Sequence, residues 1–191
     1  MPNVNSPFGL KPVRGAYGQP YNDSTQVYAA AAADATPIRY GDPVTATGAA
    51  TALGQPIVTR STAGTGNAIT GVAVGFRPFG ATEWLGYRPA SSDYEILVED
   101  NPFAEFEVQA NGNIANDAAG SNAALAFTAV PANSNRSGAV LDTATVGTTV
   151  GLQIRLLGIS RRVDNEPGEF AIWRCRLNNV TTTPNAASTG V

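Results

Sequence analysis

The sequence predicts an all-β fold, and three observations predict it. No segment carries a sustained i, i+3, i+4 apolar stripe, so no amphipathic helix is specified. Several segments alternate apolar and polar residues with the period of a half-buried strand. The 20 Gly and 13 Pro among 191 residues punctuate the chain at short intervals, as short strands joined by tight turns require. Such a pattern builds a β-sandwich of jelly-roll type or a small β-barrel. The expected organisation is an extended N-terminal arm over 1–25, a β-rich body over 26–180 and a C-terminal arm or tail over 181–191.

In the N-terminal stretch Pro2, Pro7, Pro12 and Pro20 interleave with Gly9, Gly15 and Gly18, which no helix or ladder survives. Yet the stretch carries Phe8, Leu10, Val13, Tyr17 and Tyr21, anchors that a solvated tail does not need. It therefore reads as an arm that is mobile in the free protein and orders on a partner. Phe8, Leu10, Val13 and Tyr17 are expected in shallow apolar grooves, with Lys11 and Arg14 meeting acidic residues at the rim.

The body opens with a strand over 26–32, whose alanines also suit a helix. A strand over 38–40 leads into the turn Gly41-Asp42-Pro43 and a strand over 44–46. Residues 47–55 read as a hairpin loop, 56–60 as a strand and 62–67 as a flexible glycine-rich loop. Over 69–76 Val72, Val74 and Phe76 alternate with Gly71, Ala73 and Gly75, which suits a closely covered strand. Residues 77–93 read as a long loop with aromatic anchors. Strands over 94–99 and 103–109 flank the tight turn Asp100-Asn101-Pro102, the second with Glu105 and Glu107 on a half-exposed face. After an irregular stretch over 111–135 come a short strand at 138–142 and a long hairpin. Its first strand, 149–160, bends at Gly158. In its second, 170–178, Ala171, Trp173, Cys175 and Leu177 oppose Ile172, Arg174 and Arg176. Ile154, Leu156, Ile172 and Trp173 are the expected core.

Composition narrows the chemistry. The chain has no histidine, which excludes His-paired nucleophiles, His-ligated zinc and a His proton shuttle. Its one cysteine, Cys175, excludes an intrachain disulfide and a cysteine metal cluster, and beside Trp173 it reads as a buried structural thiol. A net charge of −3 and an isoelectric point near 4.9 argue against binding nucleic acid. No apolar run approaches the ~18 residues of a membrane span. No basic-then-apolar leader opens the chain, so the expectation is folding in a reducing cytoplasm and chance glycosylation triplets at Asn22, Asn135 and Asn179.

Carboxylates are the remaining catalytic candidates. Glu95, Glu99, Asp100, Glu105 and Glu107 cluster in sequence, and Glu105 with Glu107 has the spacing of a glycosidase pair; a solvated sheet face is the plainer reading. The cluster lacks a D-x-D-x-D-G calcium loop. Gly64-Thr65-Gly66 resembles the start of a dinucleotide fingerprint but lacks the flanking strand and helix, so it reads as a loop. Arg161, Arg162, Arg174 and Arg176 read either as solvated or as a basic strip for an acidic partner. No cofactor, metal or catalytic residue is expected. Trp84 and Tyr87 offer an alternative, the stacking platform of a carbohydrate-binding β-sandwich on a virion or cell surface.

In order along the chain stand Asn5-Ser6-Pro7-Phe8-Gly9-Leu10-Lys11-Pro12-Val13, Gly41-Asp42-Pro43-Val44, Ile69-Thr70-Gly71-Val72-Ala73-Val74-Gly75-Phe76, Tyr87-Arg88-Pro89-Ala90, Phe106-Glu107-Val108-Gln109 and Asp164-Asn165-Glu166. This succession resembles the small virion proteins encoded near the major capsid gene of tailed phages. The resemblance implies a head decoration, or cement, protein: a β-rich module folded in host cytoplasm and bound outside the capsid shell. Its implied partners are the major capsid protein and other copies of itself, as dimer or trimer, and it brings no catalytic residues.

Overall fold

A computed structural model describes residues 3–79, 84–182 and 190. The fold is all-β. Among the described residues, helix is confined to three single 3-10 turns, Ala16–Gly18, Asn116–Ala118 and Thr143–Thr145. Most of the expected C-terminal tail, 183–189 and 191, lies outside the described residues.

The strands divide between two bodies. A closed barrel contains β2 (Gln26–Ala30), β4 (Pro43–Ala50), β5 (Pro56–Arg60), β6 (Gly71–Pro78) and β8 (Tyr94–Glu99), in the order β2-β5-β4-β6-β8. A five-stranded sheet contains β1 (Lys11–Arg14), β9 (Glu105–Gln109), β10 (Asn122–Ala123), β13 (Ile154–Ile159) and β14 (Ile172–Leu177), in the order β1-β9-β14-β13-β10. Two short ribbons pair β3 (Ile38–Arg39) with β7 (Tyr87–Arg88), and β11 (Leu125–Phe127) with β12 (Ala139–Leu141).

Each body has its own core, and β6 faces both. Val72, with Val74 packed beside it, joins Leu10, Phe106, Ile154, Leu156 and Trp173 under the sheet. Ala73 and Phe76 join Val44, Val58, Ile96 and Val98 inside the barrel. A register irregularity between Ala73 and Gly75 makes this division work, because an extra residue turns the following side chains over. The glycines of β6 are needed for closeness. A Cβ on Gly71 would lie 2.5 Å from Val98, and one on Gly75 2.8 Å from Leu97.

Gly41-Asp42 ties the bodies together. Leu10 N–H donates to the Gly41 carbonyl at 2.9 Å, and Gly41 N–H donates to Ala73 at 2.8 Å. Asp42 is buried; its carboxylate accepts from Arg39 N–H at 2.7 Å and from the Ser137 hydroxyl. Burial raises its pKa, and both hydrogen bonds work against that rise. Gly9 and Gly41 have φ of +77° and +85°, and a Cβ on Gly9 would lie 2.5 Å from the Gly41 oxygen, so both positions require glycine.

Several expectations are corrected. The strands over 94–99 and 103–109 do not pair: β8 closes the barrel and β9 enters the sheet, so the turn at Asp100 is a crossover. β4 runs four residues into the expected 47–55 loop, to Ala50. The 62–67 loop is pinned by the fully buried Gln153, whose amide donates to Thr62 and Asn67 and accepts from Gly64 and Leu125. The 77–93 loop contains β7, where buried Arg88 donates to the carbonyls of Ala31, Asp34, Thr36 and Ser92 at 2.6–2.8 Å. The hairpin of β13 and β14 is found, with its irregularity between Leu156 and Gly158, but its first strand begins at Ile154 rather than at 149. Ile154, Leu156 and Trp173 are fully buried, whereas Ile172 sits half-buried on the outer face that alternation assigns it.

The N-terminal stretch is a strand of the body, with β1 pairing antiparallel to β9. Leu10 is 0% exposed in the sheet core and Pro12 is buried, so this segment packs into its own chain. Asn3 donates to the Glu166 and Glu169 carbonyls, and Gln109 holds Ser6 N–H and the Val4 carbonyl. Leu10→Ala should therefore cost about 2–5 kcal/mol. Urea unfolding checks this; a loss below about 1 kcal/mol would return the arm to the status of a loosely attached tail.

Candidate binding surface

The outer face of the five-stranded sheet gathers residues that are far apart in sequence. Register places Lys11 opposite Glu107 and Arg14 opposite Glu105 on one side, and Arg174 opposite Glu107 on the other. Glu105 Oε1 accepts from Arg176 at 3.1 Å, and its Oε2 lies 3.6 Å from Arg174. Glu107 accepts from the Ser160 hydroxyl and pairs with Arg162 at 3.4 Å; Arg162 also grips Asp164 at 2.9 Å. The Asp164 hydrogen bonds raise the Arg162 pKa, while Arg162 lowers that of Asp164.

This arrangement corrects two readings. Both glutamates are buried, not solvated, because arginines from the neighbouring strand and turn lie over them. Their oxygens face these cations and Ser160. Arg174 and Arg176 are correspondingly engaged rather than free. Lys11 and Arg14 stay exposed at the sheet edge, and Val13 is half-buried. Tyr17 is 80% exposed, with φ +58°, and stacks on Phe103 at 5.5 Å.

Phe8 and Lys11 also line a recess of about 620 Å³ between the N-terminal segment and the turn over 161–170. Asp164, Asn165 and Glu166 line it from the turn, Ile172 from β14, and Arg136 from a loop that sequence reasoning left unassigned. Two motifs of the resemblance thus meet here, 5–13 and 164–166. Their shared position is invisible in one dimension, since nothing in Arg136 or its neighbours marks a binding residue.

Trp84 is 73% exposed, next to residues 80–83, which lie outside the described residues. Tyr87 is half-buried under the Arg39 guanidinium, 5.9 Å from the ring centre. Cys175 is fully buried and burial pushes its thiol pKa up, so it is a structural thiol. Among the described residues no group of three or more Cys, Asp or Glu is placed to hold a metal. No protein-family model, curated protein or solved structure matches the chain.

A second polar cluster lies at the barrel end. Glu99 is buried and accepts from Asn101 N–H at 3.2 Å, while Tyr28 donates to Asp100 at 2.9 Å. Burial, then the Asp100 hydrogen bond, pushes the Tyr28 hydroxyl up to about 12. Burial raises the Glu99 pKa, with the charges of Asp100 and Asp23 adding to it. The folded state therefore holds this proton more tightly than the unfolded chain does. Its contribution favours folding at low pH and is lost as pH rises from about 4.5 through the raised value. Glu99→Gln should thus melt higher than the parent at pH 7.5, with the difference closing toward pH 4.5. Melting curves across this range check it; a difference independent of pH would contradict the assignment.

Proposed function

We propose that this chain is a structural virion protein, a decoration or cement protein that binds the outside of a tailed-phage head. Its partners are the major capsid protein and further copies of itself, as dimer or trimer, and it stabilises contacts between capsomers. It binds no nucleic acid or membrane, needs no cofactor and performs no catalysis.

One observation carries the reading. The segments that resemble such proteins coincide with the points that hold this fold: Gly9-Leu10 against Gly41-Asp42, β6 between two cores, and buried Arg88 in its ring of carbonyls. A motif set that secures a β scaffold, rather than a reactive group, suits a protein whose work is to bind and to endure. The rim of Lys11 and Arg14 supplies exposed cations for an acidic partner surface. The test is co-sedimentation of the purified chain with heads assembled from the major capsid protein of the same genome. Saturable binding at fixed stoichiometry is expected, together with heads that withstand higher temperature. A chain that stays in the supernatant at all concentrations would overturn the proposal.

The carbohydrate reading keeps one supporting observation, the exposure of Trp84, since a ring that stacks on a sugar must be open. On that reading a glycan array gives hits that Trp84→Ala abolishes. An array without hits removes it.

A further inference from the structure

We propose that the recess between the N-terminal segment and the 161–170 turn binds a short acidic peptide segment. The peptide's carboxylates would meet Lys11 and Arg136, and an apolar side chain would lie against Phe8 and Ile172. This inference concerns the chemistry of the recess and does not depend on the virion reading.

The volume, about 620 Å³, lies within the range of roughly 300–1,000 Å³ typical of ligand sites. Its polar groups divide sharply into engaged and free. Asp164 is held by Arg162 through two hydrogen bonds of 3.0 and 2.9 Å. The Asn165 amide donates to Ser160 and Ile172 and accepts from Ile172 N–H. Gln109 is occupied by Val4, Ser6 and Phe170. Asp164, Asn165 and Gln109 are thus held by the chain itself, and Glu166 lines the recess beside them. Lys11 and Arg136, by contrast, make no ion pair and no side-chain hydrogen bond among the described residues. Lys11, Arg136 and Arg162 outnumber Asp164 and Glu166 in the lining, and Arg162 holds Asp164, so the recess keeps a cationic excess beside an apolar wall, which suits an anion with an apolar neighbour. An acidic peptide has that chemistry, and a neutral glycan does not. The chain as a whole carries −3, so attraction to this spot is local rather than global.

The test is a ¹⁵N-NMR titration of the full chain with an acetylated, amidated Glu-Asp-Phe-Asp-Glu peptide at low salt. Saturable shifts are expected at the amides of Lys11, Arg136 and Ile172. The double variant Lys11→Glu, Arg136→Glu should bind at least tenfold more weakly. If that variant unfolds, Lys11→Gln with Arg136→Gln replaces it, and at least a threefold loss is expected. Arg14→Gln, on the same strand but outside the recess, should bind within twofold of the parent. Three results would overturn the proposal: no shifts at millimolar peptide, equal binding of the Gln-Asn-Phe-Asn-Gln peptide, or shifts with tetragalacturonate but not with the peptide.

Discussion

A strand that must satisfy two cores constrains nearly everything around it. β6 presents Val72 and Val74 to the sheet and Ala73 with Phe76 to the barrel, and a single register irregularity after Ala73 turns Phe76 to the same side as Ala73. Because a one-residue slip would exchange the faces, its register has to be fixed from outside. Gly41-Asp42 does this: the Ala73 amide and carbonyl are both taken by this turn, which also receives the N-terminal segment at Leu10. The buried Asp42 carboxylate is the cost of the arrangement, and Arg39 N–H and Ser137 hold it in place.

The same economy appears on the outer sheet face. Glu105 and Glu107 lie under arginines, which spread their stems across the sheet while keeping their charged ends near water. Truncating either glutamate would leave cations crowded over a half-buried surface, so the face works as a unit. What stays available to a partner lies at the margins of that unit: Lys11, Arg14, the Tyr17–Phe103 stack and the recess.

The all-β class and the final hairpin were legible because both rest on local periodicity. Alternation over 171–177 sorted the buried from the half-buried side chains, and Gly158 marked the bend. The arm was misjudged for a physical reason. Prolines do forbid a central strand, but an edge strand tolerates them, and β1 is an edge. The burial of Glu105 and Glu107 was hidden because alternation reports polarity, not which arginines will cover a carboxylate. Neither Arg88 nor Gln153 carries a local signal, since their partners lie in loops brought in by the fold. The recess is assembled from five separated segments, and sequence spacing says nothing about such convergence.

The N-terminal segment finds its partners very late in the chain. Asn3 bonds to backbone at Glu166 and Glu169, and β1 waits for β9, which itself sits beside β14. On a ribosome adding ~5–20 residues per second, the first residues emerge on the order of ten to thirty seconds before those partners exist. Phe8 and Leu10 spend that interval without their pocket. The prolines that looked like a reason not to fold then acquire a different use: they keep a nascent, sticky strand from pairing with a neighbouring polysome's copy until its own sheet is ready.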